Sequence, residues 1–208
     1  MKRLFIISAG AFGRELESWL EQSPDFNTQW NIDGYLHSGI STLDEYPSSY
    51  KVCGDWKDFS YSKDDMVIIG ISDPKWKEEI FNHLNGIVDI MTFVHPSSII
   101  GKFVSLGRGT IVCPLCILTN DVKTGICTTI NCGSIIGHDA RIGDFSSLMA
   151  HVDIGGWGVV GARTFMGTKS VLLPHKKIGN NCKVAAGAVV FRSVKDGKTV
   201  FGNPCEEL

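Results

Sequence analysis

From Ile100 to Val190 every sixth residue is apolar, and this period constrains the fold more than any other feature of the chain. The positions are Ile100, Leu106, Val112, Leu118, Thr124, Ile130, Ile136, Ile142, Leu148, Ile154, Val160, Met166, Leu172, Ile178, Val184 and Val190, with Thr124 the one polar member. The next residue is often glycine, as at Gly101, Gly107, Gly125, Gly137, Gly143, Gly155, Gly161, Gly167 and Gly179. Two residues before the apolar position sits a small one in most repeats, for example Ser98, Thr110, Ser134, Ser146, Thr164 and Ala188. A helix repeats near 3.6 residues and a strand every two, so neither alone accounts for a period of six. A solenoid of short strands and tight turns does, and three strands per coil make the coil eighteen residues. On this reading the apolar residue points inward, the small residue fits a crowded corner, and glycine supplies backbone freedom at the turn.

Residues 1–93 have another rhythm. Leu4 to Ile7 reads as a buried strand, Ser8-Ala9-Gly10-Ala11-Phe12-Gly13 as a small-residue turn, and Arg14 to Gln22 as an amphipathic helix. A second strand ends in Asn31-Ile32-Asp33-Gly34-Tyr35, a third spans Met66 to Ile71, and a fourth spans Val88 to Val94. Asp73 and Pro74 open a helix that runs to about Leu84, because Asp caps and Pro suits the first turn. Strand-helix alternation implies a small parallel, Rossmann-like sheet. The strand, small-residue turn and helix start have the geometry that receives a phosphate, and Asp33 follows about twenty residues on, where an acid meets a ribose or base. The three parts expected are an α/β lobe over 1–93, a left-handed parallel β-helix over 94–191 and a carboxy-terminal cap segment over 192–208.

The charge balance excludes some partners. Net charge is −2, so no basic field exists to hold nucleic acid. No stretch approaches the roughly 20 apolar residues of a membrane helix. The apolar core of the opening Met1-Lys2-Arg3-Leu4-Phe5-Ile6-Ile7 is too short for a secretion signal. Seven scattered cysteines suggest free thiols in a reducing cytoplasm. Cys113-Pro114-Leu115-Cys116 is a CxxC, but Cys116 occupies the small corner position of the repeat and no second CxxC completes a zinc site. His138, His151 and His175 are too dispersed to predict a metal centre.

The lobe, then Val94-His95-Pro96-Ser97-Ser98-Ile99, then unbroken hexapeptides, then Gly202-Asn203-Pro204, together resemble the bacterial sugar acetyltransferases of the hexapeptide class. These comprise the nucleotide-aminosugar N-acetyltransferases and the sialic acid O-acetyltransferases. Asn131-Cys132-Gly133-Ser134-Ile135-Ile136-Gly137-His138-Asp139 looks like the family's catalytic coil. The resemblance implies a homotrimer that transfers acetyl from acetyl-CoA to the amino group of a nucleotide-linked sugar, without a metal. It makes His138 the general base and Asp139 its acidic neighbour. It assigns Gly156 a backbone N–H toward the thioester carbonyl. Ser147, Thr168 and Ala186 would lie along the coenzyme A groove, and Gly10, Ala11, Phe12, Asp33 and Gly34 would meet the nucleotide.

The coil length supports this assignment independently. Gly156 is eighteen residues after His138 and therefore stacks on it, at a strand separation of roughly 4.8 Å. A base and an oxyanion donor would then flank one point, as acyl transfer requires. Thr168 and Ala186 form a second column by the same count. Transfer to a sugar hydroxyl is the alternative chemistry, because a histidine base serves either nucleophile. A β-helix that binds sugar nucleotides without turnover is the alternative from another class.

Overall fold

A computed structural model describes residues 1–41 and 43–207. The chain forms two compact units, one of Met1–Ser72 with Trp76–Met91, the other of Thr92–Leu208 with Asp73–Lys75. Leu208, the last residue of the expected cap segment, lies outside the described residues.

The first unit is the expected parallel α/β lobe. Its elements are β1 (Lys2–Ile7), α1 (Ala11–Leu20), β2 (Trp30–Leu36), β3 (Val52–Gly54), β4 (Asp65–Ile69), α2 (Pro74–Leu84) and β5 (Asp89–Ile90). The sheet order is β3-β2-β1-β4-β5 and every pairing is parallel. Leu4 to Ile7 and Val67 to Ile69 are buried on both faces, as a sheet covered by helices demands. Leu16, Leu20, Ile80 and Leu84 supply the buried stripes of α1 and α2. The strand order reverses between β1 and β4, so the carboxyl ends there frame the crevice in which α/β sheets receive ligands.

Two strand expectations need correction. Residues 88–94 do not form one strand. Asp89–Ile90 pairs with β4, whereas Phe93–Val94 pairs with Ile111–Val112 of the second unit. The strand holding Asp33 does not end at Tyr35. It continues to Leu36, with a register shift that skips Asp33 in the pairing of β2 with β1.

The second unit is the left-handed parallel β-helix. Two-residue strands recur every six residues and pair with those eighteen residues away, as Ile111–Val112 pairs with Thr129–Ile130. They stack into three faces of a triangular prism. The first face carries Val112, Ile130, Leu148, Met166 and Val184, and is extended past the repeat by Thr199–Phe201 and Glu206–Glu207. The second carries Leu118, Ile136, Ile154, Leu172 and Val190, and the third Thr124, Ile142, Val160 and Ile178. These inward residues form one core, each at most 3% exposed except Thr124. Thr124 is satisfied where it stands, its hydroxyl 3.2 Å from that of Thr110 and accepting the Gly107 N–H.

The small residues do more than fit the corners. Ser134 Oγ accepts the Val152 N–H and donates to the Met149 carbonyl, bonding one coil to the next. Ser146 and Thr164 repeat the pattern, so a ladder of buried hydroxyls rises through the prism.

The glycines serve a purpose other than the one expected. None of those directly after the apolar position has a positive φ. The left-handed backbone falls two residues later, on Phe103, Leu115, Asp121, Cys127, Asp139, Phe145, His151, Trp157, Arg163, Lys169, His175 and Asn181, and on Gly109, Gly133 and Gly187. The repeat glycines are instead required by stacking. A Cβ on Gly107 would stand 2.2 Å from the Gly125 carbonyl oxygen, and one on Gly143 would stand 2.4 Å from the Ala162 nitrogen. Both obstacles are backbone of the next coil, which cannot yield without separating the coils.

This distinction predicts opposite results for two glycine exchanges. Gly107→Ala should destabilise the protein by about 3 kcal/mol or more. Phe103→Gly should be neutral or stabilising within about 1 kcal/mol, because it relieves a left-handed residue that is 78% exposed. Chemical denaturation of both variants measures the difference, and a freely tolerated Gly107→Ala would contradict the stacking role.

Candidate active site

The three corners of the prism hold different chemistry. His138 lies at the corner between the second and third faces, where Asn120, His138, Gly156 and Pro174 occupy successive coils. Ile136 pairs with Ile154 and Ile154 with Leu172, which fixes that column. The register brings His138 and Gly156 together as the coil count requires. A Cβ on Gly156 would stand 2.7 Å from His138 Nε2, so the imidazole lies directly against the glycine.

Asp139 follows at the left-handed position, a conformation Asp tolerates better than most residues. Its carboxylate lies 3.0 Å from His138 Nδ1. An ionised carboxylate can only accept, so Nδ1 carries the ring proton and Nε2 presents a lone pair. The His138 side chain is 52% exposed.

Trp157 completes the corner. Its indole meets the His138 ring edge-on at 4.3 Å. His175, one coil further, stacks on it at 4.7 Å with the planes 10° apart. Both residues occupy the left-handed corner position, so their side chains follow the coil spacing. The result is a stack His138, Trp157, His175 that fixes the imidazole from the side Asp139 does not reach. A second count of eighteen, from Trp157 to His175, is the signal that reveals it.

The expected coenzyme A residues divide. Thr168 and Ala186 do form a column, and both line a surface hollow of about 400 Å³ with Met149, Phe165, Gly167 and Lys183. That column is on the corner between the first and second faces, not on the His138 corner. From His138 to Thr168 is thirty residues, one coil and two strands. Ser147 belongs to neither. It is fully buried in a first-face strand between Thr129 and Phe165, which removes it from the groove.

In the lobe a hollow of about 220 Å³ opens where β1, β2 and β4 end. Ser8, His37, Ser38, Trp56, Lys57, Ile71, Trp76 and Ile80 line it. His37 is the residue sequence reasoning missed. Its Nδ1 accepts the Ala9 N–H and its Nε2 donates to the Ile40 carbonyl, tying the end of β2 to the turn after β1. The apolar run through Tyr35 and Leu36 could have located that strand end.

Gly10, Ala11 and Phe12 stand at the amino terminus of α1, directly after Ser8, though none of them lines the hollow. Phe12 packs edge-on against Trp19, about two turns further along the same face of α1. Asp33 and Gly34 are elsewhere. Asp33 lies 3.5 Å from Arg3, within the inner strand β2. Gly34 admits β3, since a Cβ there would stand 2.4 Å from Cys53 Sγ. Both lie inside the sheet because β2 runs on to Leu36.

The turn itself is Ser8-x-Gly10-x-x-Gly13, a glycine pattern whose first member is replaced. Ser8 holds the left-handed conformation at φ 82° that a glycine would adopt freely. Gly13 is obligatory, because a Cβ there would stand 2.0 Å from the Ser8 carbonyl oxygen. The buried thiol of Cys116 is pushed up to about 11 by desolvation, which disfavours its thiolate. Among the described residues no three His, Cys, Asp or Glu groups converge on one point, and no helix is long and apolar enough to cross a membrane.

Glycine placement gives a test of the turn. Gly13→Ala should cost about 3 kcal/mol or more in thermal or chemical unfolding. Gly10→Ala, whose Cβ would meet only Ser8 Oγ at 3.3 Å, should cost about 1 kcal/mol or less. Equal stability of the two variants would rule out this account of the turn.

No protein-family model matches the chain. Over 126 residues, 58% of its length, it is 28% identical to the GDP-perosamine N-acetyltransferase of Escherichia coli O157:H7. The match spans 57% of that protein, so the chain covers little more than half of this relative's length. Two solved structures align along nearly their whole length. The acetyltransferase domain of PglB from Neisseria gonorrhoeae FA1090, in complex with acetyl coenzyme A, superposes with a TM-score of 0.88 at 18% identity, covering 100% of this chain and 99% of that one. PerB from Caulobacter crescentus, in complex with CoA and GDP-perosamine, superposes with a TM-score of 0.82 at 22% identity, covering 100% and 98%. At these identities the likeness is one of fold.

Proposed function

We propose that this chain, related in sequence to a nucleotide-sugar N-acetyltransferase, transfers acetyl from acetyl-CoA to the amino group of a nucleotide-linked amino sugar. The observation that carries this reading is the contact of His138 Nε2 with Gly156, with Asp139 anchoring Nδ1 behind it. A nucleophile bound to Nε2 and a carbonyl bound to the Gly156 N–H would be neighbours on one corner.

In the proposed reaction His138 Nε2 accepts a proton from the sugar amine as its nitrogen attacks the thioester carbon. Negative charge grows on the carbonyl oxygen, where the Gly156 N–H can donate to it. The carbon–sulfur bond then breaks, the proton on Nε2 passes to the sulfur, and the products are the N-acetyl sugar and free coenzyme A. Asp139 keeps the imidazole in the tautomer that accepts at Nε2, and the Trp157 face holds its plane.

The acetyl-CoA pantetheine arm would run along the Thr168 and Ala186 hollow. Because that hollow occupies another corner than His138, we propose that a second copy of the chain supplies it and that the active assembly is the homotrimer. The outward residues of the second face support this. Ile99 and Ile135 are large, apolar and exposed, at 62% and 43%. The nucleotide would bind the lobe hollow, its phosphates toward the amino terminus of α1. Free cysteines and both substrates fit a cytoplasmic protein.

His138→Ala should lower kcat by about 10²- to 10⁴-fold while the fold is retained. The assay is acetyl-CoA consumption over a panel of UDP-, GDP-, dTDP- and CMP-linked amino sugars, with hydroxyl-only analogues as the comparison. Near wild-type turnover in the variant would remove His138 as base, and turnover of the hydroxyl analogues alone would redirect the reading to O-acetylation. Ile135→Glu should dissociate the assembly in sedimentation analysis, and an unchanged mass would exclude the second face as its interface.

A further inference from the structure

We infer that Pro174 keeps the Gly156 N–H available to the thioester carbonyl, and so is a positioning residue for the transfer; this rests on the role proposed above for Gly156. The inference comes from the way other donors of the repeat are capped. At four of the repeat glycines the N–H of the following residue is capped by a side chain of the next coil. Asn120 Oδ1 accepts the Lys102 N–H at 2.9 Å, and Asp144 Oδ1 accepts that of Ile126 at 2.9 Å. Asn180 Oδ1 accepts the Ala162 N–H at 2.8 Å, and Asp196 Oδ1 that of Asn180 at 3.0 Å. The donors follow Gly101, Gly125, Gly161 and Gly179, so one backbone frame is used four times.

Gly155-Gly156 is the same frame. The pairing of Ile154 with Leu172 places residue 174 over residue 156, as the pairing of Val160 with Ile178 places 180 over 162. The residue at the capping position is Pro174, whose ring has no acceptor. Among the described residues nothing takes the Gly156 N–H. The carbonyl of the same peptide, that of Gly155, accepts the Gly158 N–H at 2.9 Å, so the peptide is held while its donor is left free. Pro174 itself seats tightly, since a Cβ on Gly155 would stand 2.6 Å from its nitrogen. An Asn or Asp at 174 would close the donor with the bond the fold makes elsewhere, and a bound thioester carbonyl would have to displace it.

The test compares Pro174→Asn with Pro174→Leu in the full chain. The two replacements are close in size and shape, and only Asn brings the acceptor. Both are assayed for acetyl-CoA-dependent transfer to the sugar nucleotide that the wild type uses best, and both for thermal midpoint. Pro174→Asn should have a kcat about 10²-fold below that of Pro174→Leu with little change in sugar KM, because a donor to the developing oxyanion acts in the transition state. It should also melt at the higher temperature, because a backbone donor has gained its partner. Equal kcat values overturn the inference, whether or not the midpoints differ. A wild type that acetylates no sugar nucleotide overturns the proposed function and this inference with it, whereas an active wild type with equal variants overturns the inference alone.

Discussion

The carboxy-terminal unit depends on backbone lying against backbone at the glycines that follow each inward residue. At Gly107, Gly143 and Gly167 the space for a Cβ is already taken by the peptide of the next coil, 2.2 to 2.5 Å away. Parallel strands repeat at roughly 4.8 Å, and a side chain at these positions would wedge them apart. Because the coils are held at that spacing, every side chain on a corner inherits a fixed neighbour one coil on. The contact of His138 with Gly156 and the stack of Trp157 on His175 are both consequences of it. Catalytic geometry on this scaffold therefore comes from chain arithmetic, with the buried hydroxyl ladder and the Ile, Leu and Val core supplying the rigidity.

That arithmetic is why so much of the second unit was legible in sequence. A period of six survives any reading frame, and one inward residue such as Ile136 fixes all others on its face. It gave the faces, the column of Gly156 over His138, and the burial of Cys116. It misassigned the purpose of glycine, because two constraints, free φ and a missing Cβ, select the same residue. They separate only when dihedral angles are known, and the structure puts the positive φ on residues such as Phe103 and Trp157. It also could not separate Ser147 from Thr168. Both are small polar residues near a repeat glycine, but one is on a strand whose outer face is covered and the other is at an open corner.

The lobe was legible only as a class. Strand, turn and helix follow from local pattern, and so does the parallel sheet. The site at its strand ends does not, because no period relates Ser8 to His37, Lys57 and Ile71. Because β2 runs three residues past Asp33, the expected acid stays off the crevice and lies against Arg3. Local motifs predict what one segment can do, and a crevice is built by several segments whose register is set by the sheet.

The corners make the contrast between scaffold and site physical. Asparagine and aspartate caps at Asn120, Asp144, Asn180 and Asp196 consume backbone donors and bind coil to coil. Where His138 and Gly156 stand, the residues one coil ahead are Gly156 and Pro174, which can cap nothing. Capped and uncapped positions differ in one side chain per coil. A donor held by its neighbours yet left without a partner costs the fold a hydrogen bond worth about 1 kcal/mol. The same donor is preorganised, because the Gly155 carbonyl of its own peptide is fixed by the Gly158 N–H and Gly155 is packed against Pro174. Rigidity made by the repeat and reactivity made by a local omission from the repeat are thus two uses of one frame.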